Sequence, residues 1–345
     1  MKLIYIIIII SSLLFLSSCK KNIGKSFNKF PVSYTLKGKK ADDNFIFKTG
    51  LVDVYDSLLI ITSTPQTTQC IHVYNKNTFQ HMISTGDIGK GPSEIINPGL
   101  GCVDKQNGII WYRDMGRQKI WKYEIVKMLT EKNHKPVQFI PLPPGHFFIQ
   151  FESSAMNTIS FANTDENILI SYFNQKGEII DSLNVEDKIC LYGRTTEDSR
   201  KFILNYFYTD HPFKKLHAIA YRFADVFAIV GQKGNVISIV RGPDHFQQNP
   251  DYNKLDQTIA YSGIYSNEKF IYCLYSGKKR MEEKDGEMVV NQEKTLHVFN
   301  WNGEPVASVN LEYSAMSFDI DEQNNRLVTF AAETGGIVYY QLPKL

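Results

Sequence analysis

A small residue leading into an apolar, β-prone run recurs through this chain at Gly50, Gly101, Ala155, Ala218, Gly263 and Ala315, at steps of roughly 45 to 63 residues. Repeats of that length, each holding several short strands, belong to β-propeller blades. Helical repeats need long stretches of 3.6-residue periodicity, and the sequence has none. The last repeat shows the unit most plainly. In residues 314–342 (SAMSFDIDEQNNRLVTFAAETGGIVYYQL), 316–320 is apolar at every second position, which puts one face on a core. A polar cluster at 321–325 turns the chain, 326–331 is a second strand, Gly335-Gly336 a second turn, and 337–342 a third strand rich in β-formers. The small residue at the head of each unit has a steric reading: first strands of all blades converge on one axis, where bulky side chains would collide.

The same pattern runs along the chain. The first repeat continues through 58–62, 70–74 and 79–83, and the second through 109–113, 119–123 and 137–140. The third holds 168–173 and 178–183, the fourth 227–230 and 236–240, the fifth 270–275, 295–300 and 306–311. Asn302-Gly303 between two apolar strands marks a hairpin, because both residues accept positive φ. Residues 186–210 show no clear strand pattern, and the charged insert 278–293 reads as a solvated loop. The last repeat has only three strands, while Val32–Leu36 is a lone strand ahead of the first. The expected fold is all-β: a six-bladed β-propeller over 31–345. Its ring closes when Val32–Leu36 becomes the outermost strand of the last blade and removes an open sheet edge.

Residues 1–18 stand outside that unit. Lys2 precedes the apolar run 3–16, which is shorter than the roughly 20 residues of a membrane span. Small residues and a cysteine follow, the layout of a processed export signal. The tetrad Leu16-Ser17-Ser18-Cys19 resembles a bacterial lipobox. That resemblance implies diacylglyceryl transfer to the Cys19 sulfur, cleavage before Cys19 and acylation of the new amino terminus; an ordinary secretory peptide and an uncleaved anchor are the alternatives. Each buried methylene contributes about 0.8 kcal/mol, so several acyl chains hold a membrane durably where one does not. Residues 19–30 then read as a lipidated cysteine and a flexible, lysine-rich tether whose charges suit anionic headgroups. No acidic residue directly follows Cys19, which points to the periplasmic side of the envelope rather than the cell surface.

With 38 Lys and Arg against 36 Asp and Glu, the net charge is +2, so no long-range field recruits nucleic acid. A hydrophobic share of 43% suffices for a large core, and the 13% aromatic share suits β-sheets. Cys70, Cys102, Cys190 and Cys273 are widely spaced, without a CxxC pair, so they read as buried thiols rather than zinc ligands. Export permits disulfides among them.

Residues 85–99 (TGDIGKGPSEIINPG) form a Gly/Pro-dense loop between the first two repeats. It is not a phosphate-binding loop: Gly86 plus five is Gly91, but Pro92 follows where a Lys-Ser/Thr opening a helix is required. Gly86, Gly89, Gly91, Pro92 and Glu94 therefore read as a structural inter-blade turn. The repeats, this loop and the lipobox together resemble the TolB-like six-bladed β-propeller family of bacterial lipoproteins, related in shape to NHL-repeat propellers. Tyr112-Arg113-Asp114 followed by Arg117-Gln118-Lys119-Ile120-Trp121-Lys122-Tyr123 is similar to that family's second-blade strand pair. Ser93 and Ile95 depart from the family's usual Gly and aromatic residue in the loop. The resemblance covers roughly 31–343. It implies a fold and an envelope location, and little chemistry.

Little in the sequence announces a reaction. There is no G-x-S-x-G elbow. Asp319, Asp321, Asn324 and Asn325 lack the rest of a calcium loop and suit a turn. His211 and His217 lack a third ligand. No metal, cofactor or catalytic residue is assigned. Propellers bind ligands at the mouth of the central channel. The candidates there are Arg113, Arg117, Tyr221 and Arg222, types suited to carboxylates, phosphates or sugars; packing within the blades is the alternative for each. The expected function is a lipid-anchored, monomeric binding module for a glycan, a peptide or an envelope protein. The alternative is a propeller-type lyase or hydrolase acting on polysaccharide or peptide, with acid–base groups in the channel.

Overall fold

The computed structural model describes residues 24–41, 50–63, 68–131, 134–141, 151–154, 158–162, 168–174, 176–184, 206–244, 256–331 and 333–345. The expected signal sequence, Cys19 and Cys190 lie outside them. Among the described residues Cys70, Cys102 and Cys273 are buried free thiols.

The chain forms an all-β propeller. Its sheets follow one another in sequence order, each a meander of antiparallel neighbours. The first sheet is Gly50–Tyr55, Leu58–Ser63, Gln69–Asn75 and His81–Asp87; the second is Pro98–Asp104, Ile109–Asp114, Lys119–Glu124 and Gln138–Pro141. The third is Phe151–Ser154, Thr158–Ala162, Ile168–Phe173 and Ile179–Asn184; the fourth is Tyr206–Asp210, Leu216–Tyr221, Val226–Gly231 and Val236–Arg241. The fifth is built on Thr258–Ser266, Phe270–Lys279, Thr295–Asn300 and Pro305–Leu311, the sixth on Ser317–Asp321, Arg326–Ala331 and Gly336–Gln341.

The core is a set of slabs between facing sheets rather than one mass. Ile60 and Val73 of the first sheet pack on Ile110 and Tyr112 of the second, and Trp111 and Ile120 on the other face of the second reach Phe173 of the third. Ile170 and Leu183 meet Tyr208 and Ile219 of the fourth sheet, and Phe227 stacks on Phe299 of the fifth with ring centroids 4.7 Å apart. Leu296 meets Leu327, and Val328 and Phe330 of the sixth sheet pack on Val52 and Ile61 of the first. Strands covered on both faces are buried at every position, as in Leu58–Ser63, Ile109–Asp114, Val226–Gly231 and Arg326–Ala331. This is why such runs read as continuous rather than alternating apolar stretches.

The turns from third to fourth strand repeat in detail. In Asn300–Glu304 the Asn300 carboxamide accepts from the Asn302 and Glu304 amides and donates to the Glu304 carboxylate at 2.7 Å, while Gly303 adopts φ +74°. The third sheet makes the same turn over Asn174–Glu178, with Gly177 at φ +82° and the same 2.7 Å bond to Glu178.

Several expectations are corrected. Gly50 and Gly101 are small for a different reason from crowding on an axis. A Cβ on Gly50 would lie 2.8 Å from Ile61 Cγ2, and one on Gly101 would lie 2.7 Å from Thr62 Cγ2, so the crowding comes from the adjacent strand and the neighbouring sheet. Ala218 lies in the second strand of the fourth sheet, whose first strand, Tyr206–Asp210, falls in the stretch left unassigned. Ala155 lies outside the described residues. The charged insert is not a loop: Met281–Lys284 and Glu287–Val290 pair around Asp285-Gly286, both at positive φ. A helix, Ile125–Thr130, was not foreseen; it buries Ile125 and Met128.

The amino-terminal segment also differs. Val32–Leu36 does not join the last sheet; it pairs in parallel with Pro305–Leu311 of the fifth, Val32 opposite Ala307. A meander's outer strand runs antiparallel to its neighbour, and this segment runs the other way, so it caps the fifth sheet as an extra strand. The fourth strand of the sixth sheet is Lys39–Lys40, antiparallel to Val338 and Tyr339. Gly38 allows the crossing, because a Cβ there would lie 2.6 Å from Val338 Cγ1. The tether expected over 19–30 is docked from Gly24 onward. Gly24–Ser26 pairs in parallel with Val236–Arg241, and Phe30 is buried against Phe299 and His297.

Candidate functional site

The first strands of five sheets, with the turns that follow four of them, line a cavity of about 740 Å³. Its size is that of a small-molecule site. The walls come from Leu51–Asp53, Gly101–Gln106, Thr209–Phe213, Ser262–Glu268 and Met316–Asp319, so no single sheet makes the site.

Its floor is a charged cluster at the meeting of the first, second and sixth sheets. Asp319, buried, accepts from the Val54 amide at 2.6 Å and from Lys105 Nζ at 2.7 Å. Ser317 Oγ donates to the Gly50 carbonyl at 2.7 Å and ties the same two strands together. Asp53, half-buried, faces this pair and accepts from the Val103 amide. Burial first, and the Asp319 charge second, raise the Asp53 carboxyl from 3.8 to about 7, against the opposing pull of Lys105. Burial disfavours the Lys105 ammonium, but Asp319 and Asp53 outweigh it and hold the lysine charged, its pKa above the ordinary value. Lys105 also lies over the Tyr265 ring, 4.9 Å from its centroid. The Tyr265 hydroxyl donates to Glu322 at 3.4 Å.

The fourth sheet supplies the opposite wall. Asp210 receives His217 Nδ1 at 2.7 Å, and Ser266 Oγ donates to the Asp210 carbonyl at 3.0 Å. His211 Nδ1 accepts from the Phe213 and Lys214 amides at 3.0 and 3.1 Å, which leaves its ring proton on Nε2. That Nε2 is buried and has no partner among the described residues. Burial first, then Lys214, lower the His211 pKa and keep the ring neutral. Phe213 stands at the rim with 79% of its surface exposed. Among the described residues no group of three or more His, Cys, Asp or Glu is placed to hold a metal ion.

Arg113, Arg117, Tyr221 and Arg222 do not line this cavity. All four lie on or just after second strands, which run antiparallel to the first. Asp114 is therefore opposite Pro98, and Tyr221 opposite Tyr206, at the amino-terminal ends of the first strands. Arg113 is buried, its pKa lowered to about 10 by that burial. Tyr221 packs 6.4 Å from the Tyr206 ring, and Arg222 lies over Phe223 with its carbonyl accepting from the Ala260 amide. Arg117 binds the inter-blade loop, donating to the carbonyls of Lys90, Gly91 and Glu94 and to Asp114.

In that loop Glu94 accepts from the Gly91 amide at 2.7 Å, and its carboxylate fills the space a Cβ at Gly89 or Gly91 would need. Gly86 takes φ +75° against Cys70, and Pro92 lies within the turn that Glu94 closes onto Gly91. Asp114 accepts from the amides of Ile96, Asn97, Gly116 and Arg117.

The cavity residues Asp53, Lys105, Asp319, His211 and Phe213 were not assigned from the sequence. One signal was there. An acid recurs on the first strand of four sheets, at Asp53, Asp104, Asp210 and Asp319, ending the strand in the second and fourth sheets and twice standing in Gly-x-Val-Asp.

A profile described as TolB-like 6-blade propeller-like matches residues 26–323. No curated protein matches the chain. Among solved structures, a candidate exported protein from Bacteroides fragilis NCTC 9343 is 12% identical, with 91% of this chain and 99% of that one covered and a TM-score of 0.56. A member of the DUF4221 family from Bacteroides vulgatus ATCC 8482 is 8% identical, with 89% and 95% covered and a TM-score of 0.64. At these identities the likeness is one of fold.

Proposed function

Because the chain belongs to the TolB-like 6-blade propeller-like family, we propose that its sheets close as six blades and that it works as a ligand-binding module of the cell envelope, held there by lipid on Cys19. The observation that carries the binding role is the cavity of about 740 Å³ built from five first strands, with charged groups on its floor and an exposed aromatic at its rim. The ligand is a glycan or peptide fragment small enough to enter it, presented free or on an envelope partner. Closure as a ring is supported by the sixth sheet packing on the first, where Lys76 Nζ lies 2.8 Å from Asp321 and Arg326 bonds both Asp321 and the Lys76 carbonyl.

The docked amino-terminal segment sharpens the address. From Cys19 to Gly24 the chain reaches at most about 18 Å. An acylated Cys19 would hold the outer edge of the fourth sheet against the bilayer instead of letting the propeller swing on a long leash, on the periplasmic face. Fatty-acid labelling of wild type and Cys19→Ala tests the anchor; equal labelling removes it.

Hydrogen exchange of the full chain with pools of oligosaccharides and short peptides tests the site. Protection is expected at 104–107, 210–213 and 265–268, and none at 86–94. Protection confined to 86–94 would overturn the assignment. One observation favours a second reading, an acid–base enzyme: Asp53 titrates near neutrality beside a second carboxylate, Asp319. Consumption of a pool component that stops in Asp53→Asn would put a lyase or hydrolase in place of the binding module.

A further inference from the structure

The charge of the cavity is opposite to that of the chain. The protein carries a net +2, yet among the described residues the cavity lining holds the carboxylates of Asp53, Asp104, Asp210, Asp319, Glu268 and Glu322 against the single ammonium of Lys105. Two of these acids are spoken for by their own sheets: Asp104 accepts from the Gln106 and Asn107 amides of its turn, and Asp210 is bonded to His217. Lys105 is bonded to Asp319. Asp53, Glu268 and Glu322 are left facing the cavity with no ion pair of their own among the described residues. An anionic ligand would have to pull Lys105 off Asp319 and then sit among the remaining acids.

A second, independent feature is the His211 imidazole. Its Nδ1 is consumed by two backbone amides and its ring packs on Trp301, so the buried Nε2–H of this cavity-lining residue is a donor with no acceptor among the described residues. A buried donor without an acceptor destabilises the free protein, and a ligand oxygen that reached it would relieve that cost. Phe213, exposed at the rim, offers a free ring face of the kind that attracts ammonium groups and packs on sugar rings.

We propose that the cavity takes a small organic cation: a molecule bearing at least one protonated primary amine, set on a frame whose carbonyl or hydroxyl oxygen reaches His211. This rests on the cavity being the binding site. Two sources carry that chemistry, a lysine-bearing peptide end and an amino sugar with a free amine. In either case the ammonium lies between Asp53 and Glu322, and the rest of the ligand extends toward Phe213. Bringing a cation beside Asp53 drives off the proton that burial and Asp319 hold there. Binding of a fully ionised amine therefore tightens between pH 6 and pH 8, and one proton is released where Asp53 is still protonated.

The test uses the full-length chain in detergent and two probes, tri-lysine and a β-1,4-linked glucosamine disaccharide, each beside its fully N-acetylated form. Titration calorimetry is expected to show one of the free amines binding, with affinity weakened about tenfold or more by acetylation and by Asp53→Asn, a loss of about 1.4 kcal/mol or more. Glu268→Gln, an exposed change that leaves the fold alone, is expected to weaken it about threefold. Hydrogen-exchange protection by the bound probe should map to 104–107 and 210–213. Which probe binds decides between the two sources. If acetylated and free forms bind alike, or only acidic probes protect those segments, the amine assignment is overturned while the cavity keeps its role. If no probe in any arm protects them, both readings fall.

Discussion

The amino-terminal ends of the first strands and the cavity those strands line carry much the same residue types and use them in opposite ways. At the amino-terminal end, Asp114 is wholly buried and accepts four backbone amides, and Arg117 bonds the carbonyls of three loop residues while touching Asp114. Glu94 closes its own turn. The charges of Asp114, Arg117 and Glu94 have become part of the backbone's hydrogen bonding, while Arg113 beside them is buried with Nε and Nη2 unpartnered among the described residues. At the cavity, Asp53 faces Asp319 across one lysine, and Glu268 and His211 Nε2 have no partner among the described residues to satisfy them. The first arrangement stabilises the fold. The second raises its free energy and leaves interactions for something else to complete, which is what a binding site requires.

Substitutions should separate the two regions. The largest effect is expected at Asp114. Asp114→Ala leaves four part-buried amides without their acceptor and Arg117 without its carboxylate, and the melting curve should report a loss of about 3–5 kcal/mol. Burial alone would raise the Asp114 pKa, but the amides of Ile96, Asn97 and Arg117 more than reverse that, and the net value is below 3.8. Its contribution is thus intact above pH 4 and lost as the pH falls through the depressed value, so the wild type should lose stability in acid where the variant has none left to lose. Arg117→Ala removes donors to three carbonyls and should cost about 1–3 kcal/mol, with cavity binding unchanged.

The sign reverses at the cavity. Asp53 holds its proton more tightly folded than unfolded, so it lowers stability progressively from about pH 4 to about pH 7 and by its full amount above that. Asp53→Asn should therefore raise the melting temperature at pH 8, by a free energy on the order of 1–3 kcal/mol, and leave it unchanged near pH 4. A gain in stability coupled to a loss of binding would mark Asp53 as a residue kept for function. A loss of stability at pH 8 would place it with Asp114 instead.

The fold was legible where one residue type meets a local demand. Asn302-Gly303 announces its hairpin because the turn needs positive φ, and Gly50 and Gly101 recur because Ile61 and Thr62 leave no room for a Cβ. Asp285-Gly286 carried the same signal as Asn302-Gly303, but the charged strands around it have no core face and so hid it. The destination of Val32–Leu36 depends on strand direction, which composition does not encode. The site was the least legible part. Arg113, Arg117, Tyr221 and Arg222 have the chemistry of ligand contacts but ride on second strands, whose reversed direction carries them away from the cavity. Asp53, Lys105 and Asp319 are far apart in sequence, and only the meeting of three sheets makes them one cluster. The acid that recurs on four first strands was the trace of it.

The smallest effect on the fold, and the sharpest on the comparison, is expected at Phe213. The side chain is 79% exposed on a turn whose backbone is held by His211 Nδ1, not by the ring. Phe213→Ala should leave the melting temperature within the range of ordinary surface changes, about 0.5 kcal/mol either way. Binding of any cavity ligand should weaken by roughly three- to tenfold, the worth of one exposed ring against a cation or a sugar face. Phe213→Trp should restore or strengthen it, since the larger ring offers the same contact with a stronger quadrupole. A ring that served only to shield the turn would behave otherwise: removing it would lower stability, and neither substitution would move affinity.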